Sequence, residues 1–421
     1  MKTASQKTSR AAQLRGLAVL MAVAFADMLG FAMIFPLLPY YAQDLGISAQ
    51  GIGVIMASFS LAQLLSAPLW GRVSDRYGRR PALMIGLGAS AVSFVVFAFA
   101  DSFLLLLLSR AVQGAGGGTT GVLHAYVADT IPPEDRTRSL GWLSAATSSG
   151  TMIGPAIGST AALWGQVAPG LLAAGLCLVN MAFTWGWLKE SASTGARRRR
   201  PVWEAAWTVV RHPTRAVSRL LIIYALGMLA FIGFTAMITL YLDQDFGVDE
   251  FSIGYVFVYV SGLSVVMRSL LLGPIVGRLG EIRTMRLGAL SLFAGFLTAP
   301  LADDFWVLMA LLAFIPVGMS LMFPSTTALT SRHADPHELG TTMGTAQSFA
   351  GVSRTVSPLV STALFQHVGH GIPFLFSAAC MGIVGVLSSK IADTGGTEGA
   401  ERETPVPVAG DPLSVGEGLE E

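Results

Sequence analysis

The 421-residue sequence predicts an all-α membrane protein with twelve transmembrane helices in two pseudo-symmetric six-helix bundles. Composition comes first: 52% of residues are hydrophobic and only 13% charged, with a mean hydropathy of +0.60. That is about half the charge of an ordinary soluble domain. Next, apolar stretches of about 20 residues, the length that crosses a hydrocarbon core, recur twelve times with short connections. In lipid, only helices satisfy that much backbone from within each segment. Finally, the halves repeat. The run A-P-L-W-G-R-V-S-D from Ala67 to Asp75 returns as G-P-I-V-G-R-L-G-E from Gly273 to Glu281, and the pair Gly141 and Pro155 returns as Gly344 and Pro358.

In chain order the spans fall at 14–41, 49–71, 81–100, 103–127, 139–162, 167–189, 217–242, 251–276, 284–302, 305–330, 340–367 and 372–391. The apolar run after the basic N-terminus is too long for a signal-peptide core and reads as a retained first span. Of the 27 lysines and arginines, all but Arg110, Arg268 and Arg354 fall on one side of this topology or in the tail. Asp44, Asp101, Asp243, Asp245, Asp249, Glu250, Asp303 and Asp304 fall on the other side. The positive-inside rule then puts both termini in the cytoplasm of a multi-pass inner-membrane protein. The expected units are an N-terminal bundle over 1–189, a linker over 190–216, a C-terminal bundle over 217–391 and a disordered tail over 392–421. The linker carries the run Arg197–Arg200 with Trp203, Trp207, Arg211 and Arg215, a basic amphipathic stretch suited to the inner surface. The tail is rich in Gly, Pro and Glu.

The turn from Gly71 to Pro81 is too charged for hydrocarbon, with Arg72, Arg76, Arg79 and Arg80 around Asp75. Its pattern, G-x-x-x-D-R-x-G-R-R, resembles the loop between spans two and three of the major facilitator superfamily of transporters. Span one carries Asp27, Gly30 and a P-x-x-P ending at Pro39; span four carries R-x-x-Q-G-x-G from Arg110 through Gln113 to Gly116. Both are similar to tetracycline and multidrug proton antiporters of that superfamily. Gly150, Gly154, Pro155 and Gly158 in span five resemble its exporter motif, with Ser159 where the pattern has a further glycine. The resemblance covers about residues 14 to 391 and implies a substrate site between the bundles at mid-depth. It also implies a conformational latch at Gly71, Asp75, Arg76, Gly78, Arg79 and Arg80, in which Asp129 holds Arg76 or Arg79. Asp75 is expected to cap span eleven near Gly340–Gly344. Glycines four apart give span five a flat face for close packing, and Pro155 bends it.

Asp27 is the one carboxylate placed within a span, and such a group reads as functional. Counted from the helix ends, Arg110 falls at a similar depth, so the two are expected to neutralise each other. His124, 14 residues after Arg110, is placed on a similar face as a proton relay. Arg268 is expected to snorkel to the inner surface. Arg354 and Gln347 in span eleven are candidates for charge balance or a substrate anion. Tyr224, Phe231 and Phe234 in span seven, with Tyr255 and Tyr259 in span eight, are candidate cavity aromatics. Asp27, Arg110 and Gln113 complete the expected substrate set. No nucleophile–base set, metal cluster, phosphate loop or nucleic-acid surface is read in the chain, and no cofactor is expected. The expected activity is proton-coupled antiport of small lipophilic or amphipathic compounds by a monomer, multidrug efflux rather than an enzymatic reaction. The alternative is a proton-coupled importer or facilitator of a small metabolite.

Overall fold

A computed structural model describes residues 2–188, 190, 207–209, 211–335 and 338–391. The first bundle contains α1 (Lys2–Ile34), α2 (Leu38–Asp44), α3 (Ala49–Tyr77), α4 (Arg79–Ala98), α5 (Phe103–Gly116), α6 (Thr119–Thr130), α7 (Pro133–Ala162) and α8 (Val167–Trp187). The second contains α9 (Ala216–Phe246), α10 (Ile253–Val266), a π turn over Met267–Leu271, α11 (Leu272–Thr298), α12 (Phe305–Leu312), α13 (Phe314–His333), α14 (Leu339–His367) and α15 (Ile372–Ser389). Among the described residues, eight stretches are long and apolar enough to cross a membrane. One of them, Ile253–Leu301, folds back on itself and makes two passes. Phe103–Thr130, α7 and α14 have membrane length with more polar composition, and bring the passes to twelve. The run Arg197–Arg200, Trp203 and the tail 392–421 lie outside the described residues; Arg211 stacks on Trp207 at 5.1 Å.

Passes one and four are broken where the sequence reading had continuous helices. Pass one breaks between α1 and α2, around Pro36 and Pro39, because proline supplies no N–H to the ladder. Pass four breaks at Gly117 and Gly118, where α5 hands over to α6 and Gly118 lies against the ring of Trp70. The fold-back in α11 occurs at Gly280, whose φ of 76° suits glycine. The first bundle makes the matching turn at Gly78, φ 101°. The second hairpin turns earlier in the repeat, so Glu281, aligned with Asp75, follows its glycine and pairs with Arg332 at 3.0 Å.

Close helix packing builds the first bundle. Gly150, Gly154 and Gly158 lay α7 directly on the α1 backbone at Phe25, Leu29 and Met33. The other face of α7 meets α10 of the second bundle, with Gly254 resting on the Pro155 carbonyl and the Ser159 side chain. Ser159 therefore has a use that glycine lacks: its Oγ accepts the Gly254 N–H at 3.1 Å. The second seam joins α3 and α14, where Gly53 meets Thr362 and the Pro358 carbonyl.

Among the described residues, the hydrogen bonds between bundles lie toward the acidic end. There the Tyr40 hydroxyl donates to the Val248 carbonyl at 2.6 Å, and the Gln50 N–H donates to Gln366 Oε1 at 2.8 Å. His367 Nε2 meets Gln50 Oε1 at 3.1 Å. Glu250 is drawn into this closure, and burial, followed by the charges of Asp44 and Asp249, raises its pKa. The molecule is closed at its acidic end.

The α1–α7 contact gives a direct test. A side chain at Gly154 would start 2.6 Å from the Ala32 Cβ and 2.9 Å from the Leu29 carbonyl oxygen. Gly154→Leu is expected to destabilise the bundle by about 1–3 kcal/mol through overpacking. Thermal unfolding in detergent should show a lower midpoint, with ligand binding retained below that midpoint; an unchanged midpoint contradicts the packing account.

Candidate transport site

Asp27 lies on the stretch of α1 that α7 covers. Its Oδ2 accepts the Thr119 hydroxyl at 2.7 Å, and no basic side chain pairs with it among the described residues. Thr119 is the first residue of α6, so the break at Gly117 and Gly118 is what brings its hydroxyl to the carboxylate. A carboxylate in hydrocarbon with one neutral donor is poorly compensated. Such a group can carry a proton in place of a counter-ion.

The expected neutralisation by Arg110 is not found. Arg110 is 4% exposed, its Cζ lies 4.8 Å from the ring centre of Phe97 and 5.8 Å from that of Phe94, and its Nε and Nη2 bond nothing. The helix-end count placed Asp27 too close to Arg110 in depth. Asp27 bonds Thr119, nine residues and about two and a half turns beyond Arg110. Gln113 is also buried, with an unpaired Oε1. His124 is exposed, and the same break destroys the helical phase that had aligned it with Arg110. Arg268 lies in the π turn and is exposed, about 18 Å along the helix from Gly280 at about 1.5 Å per residue.

The aromatic candidates divide. Tyr224 of α9 stands edge-on to Phe323 at 5.4 Å and lies beside Gln347, whose Oε1 accepts from Arg354 Nη2 at 3.3 Å. Phe234 is not a cavity residue. It is 4% exposed and packs in the second bundle's core against Phe231, Phe296 and Phe374. Tyr255 and Tyr259 do not line a central site either. They border a peripheral groove of about 750 Å³ near the acidic end with Phe246, Phe305 and Trp306. Gly254 must face α7, which turns its neighbours toward α12 and the outer surface.

At the basic end, Arg79 gathers the expected cluster. Its Nε donates to Asp129 Oδ2 at 2.9 Å, and its Nη1 lies 2.6 Å from Asp75 Oδ1 and donates to Ser74. Arg76 instead stacks over Tyr77 at 5.4 Å, and Arg80 over Trp185 at 4.8 Å. Asp75 thus stays within its own bundle and does not cap α14 in this conformation. Gly71 and Gly340 have open space where a side chain would begin. Sequence reasoning missed Glu190. Its Oε1 accepts the backbone N–H of Arg79 at 2.6 Å, answering a free donor at the N-terminus of α4, and its carboxylate fills the space beside Gly78. The available signal was an acid at the end of span six.

Loss of that cap is measurable. Glu190→Ala is expected to cost about 1 kcal/mol, the usual value of an N-terminal cap, and to lower the thermal midpoint. Glu190→Gln keeps an acceptor and should recover most of it; equal midpoints for wild type and Glu190→Ala contradict the assignment.

A family model described as Major Facilitator Superfamily matches residues 20–304 and again 269–409. The tetracycline resistance protein, class B, of Escherichia coli is 25% identical over 394 residues, covering 92% of this chain and 98% of that protein. Multidrug resistance protein 2 of Bacillus subtilis is 27% identical, over 87% of this chain and 92% of its own length. Among solved structures, the human organic anion transporter MFSD10 aligns with a TM-score of 0.67 at 23% identity, covering 89% of this chain and 99% of that one. The nucleoside transporter NupG aligns with a TM-score of 0.73 at 14% identity, covering 90% of this chain and 100% of that one. At those identities the two structures speak for the fold.

Proposed function

The chain belongs to the major facilitator superfamily, and on that premise we propose that it is a proton-coupled exporter of small lipophilic or amphipathic compounds. The observation that carries the reading is Asp27, a carboxylate inside the first bundle whose one hydrogen bond among the described residues is to a neutral hydroxyl. Relatives named for tetracycline, multidrug and quinolone resistance support the substrate class.

The basic face is assigned to the cytoplasm and the acidic face to the outside of the inner membrane. On that assignment this conformation is sealed toward the outside. The seams at Gly53 and Gly254 are the pivots on which the bundles rock, and the bonds at Gln50 and Tyr40 open when the outer end parts. Asp27 then takes a proton from outside and the substrate leaves. After reclosure, Asp27 gives its proton to the cytoplasm and the next substrate enters. In the opposite state Asp75 leaves Arg79 and caps the N-terminus of α14, joining the basic ends. The cycle needs a single chain and its lipid, with no cofactor.

Gradient-driven dye accumulation in inverted membrane vesicles tests this reading. Asp27→Asn is expected to abolish the gradient-dependent part while the protein remains in the membrane, and Asp27→Glu to retain a fraction. Pumping by Asp27→Asn at the wild-type rate contradicts the proton role. Wild-type indifference to the dyes, with uptake of a polar metabolite, favours import instead.

A further inference from the structure

The group formed by Tyr224, Gln347 and Arg354 has no part in that proton cycle. Gln347, Gly351, Arg354 and Pro358 recur at helical spacing and form one stripe along α14. Gly351 lies against Leu64 of α3, and the Pro358 carbonyl lies at Gly53 of α3. The stripe therefore borders the seam between the bundles. Neighbouring Ser353 and Ser357 turn the other way and donate to the α9 carbonyls of Ala225 and Leu229.

Arg354 has little to hold it there. Its Nη2 has the Gln347 oxygen, its Nε is buried and bonds nothing, and no carboxylate pairs with it among the described residues. Unpaired, an arginine within the membrane is costly. A glutamine and a phenol do not discharge it. Arg110 is likewise unpaired, but it is shut between Phe94 and Phe97 at 4% exposure, whereas Arg354 keeps partial exposure and open donors. Asp27, the one acid inside the first bundle's core among the described residues, is held by Thr119. When it carries a proton, the described interior has arginines and no anion.

A planar guanidinium with a free Nε suits a carboxylate, sulfonate or enolate, which it binds through parallel N–H bonds. The Tyr224 hydroxyl beside it offers a further polar contact, and the Phe323 ring, edge-on to Tyr224, offers an aromatic surface. We propose that Arg354, with Gln347 and Tyr224, holds the anionic group of an amphipathic aromatic substrate, so that the transporter prefers organic anions to cations of the same shape. This names the substrate class for the exporter reading above. Its test needs no gradient, so the two can fail separately.

Two xanthene dyes of matched shape serve as probes: fluorescein, an anion, and tetramethylrhodamine methyl ester, a cation. Fluorescence anisotropy titrations use the purified full chain in lipid nanodiscs. Wild type is expected to bind fluorescein at least about tenfold more tightly than the rhodamine ester, a difference of about 1.4 kcal/mol. Arg354→Gln should remove that preference without weakening the rhodamine ester, and Arg354→Lys should retain most of it because the charge survives. Equal binding of the two dyes by wild type, or an unchanged fluorescein affinity in Arg354→Gln, overturns the proposal. The wild-type comparison decides even where Arg354→Gln does not fold. Failure of gradient-driven transport with this dye preference intact would sink the proton cycle and leave the anion site standing.

Discussion

A carboxylate surrounded by hydrocarbon, with no cation to answer it, is the constraint on which the rest of this structure depends. Asp27 has the Thr119 hydroxyl and nothing ionic within reach among the described residues. In such surroundings a charge costs several kcal/mol, and a proton is the smallest available neutraliser. The details of the first bundle serve this arrangement. The break at Gly117 and Gly118 presents Thr119, and the glycine stripe of α7 holds the α1 backbone in place around residues 25 to 33. Arg110, kept apart among phenylalanines, leaves the carboxylate unsatisfied by any permanent partner.

The ends of the molecule are built on different physics. At the acidic end the bundles meet through backbone and neutral side-chain bonds, with carboxylates such as Glu250 partly withdrawn from water. At the basic end each bundle ties its own hairpin to the end of a neighbouring pass by an ion pair: Arg79 to Asp129 in the first, Glu281 to Arg332 in the second. These ties hold each bundle's own hairpin in place. Rigid bundles that touch along glycine seams can exchange the closed end by rotation, with little repacking inside either one.

Much of the fold was legible because lipid leaves few alternatives. Length, apolarity and the one-sided placement of arginine specify passes and their order without any tertiary information. The Gly150–Gly158 spacing announced a helix contact, and the structure supplies its partner, α1. The site was read less well, for identifiable reasons. The ion pair between Asp27 and Arg110 came from counting residues along continuous helices, and the break in pass four invalidates that count. Tyr255 and Tyr259 were assigned to the cavity by composition, whereas the orientation of α10 is fixed by Gly254. Phe234 belongs to the core because its neighbours are two further phenylalanines from distant passes, Phe296 and Phe374. Glu190 was missed because capping across more than 100 residues leaves no local pattern. Pairings between passes are tertiary facts, and a single sequence does not encode them in its spacing.

The central claim is that protonation of Asp27 governs which end is closed. The most direct test is a pH titration of the distance across the acidic end, using spin labels at the exposed positions Leu45 and Val368 on opposite bundles. The free cysteines Cys177 and Cys380 would first be replaced. Wild type is expected to move toward the short, closed distance as pH falls. Asp27→Asn, a permanent mimic of the protonated state, is expected to hold that distance across the range, apart from the smaller contribution of Glu250 and its neighbours. A variant that follows the wild-type titration would contradict the account.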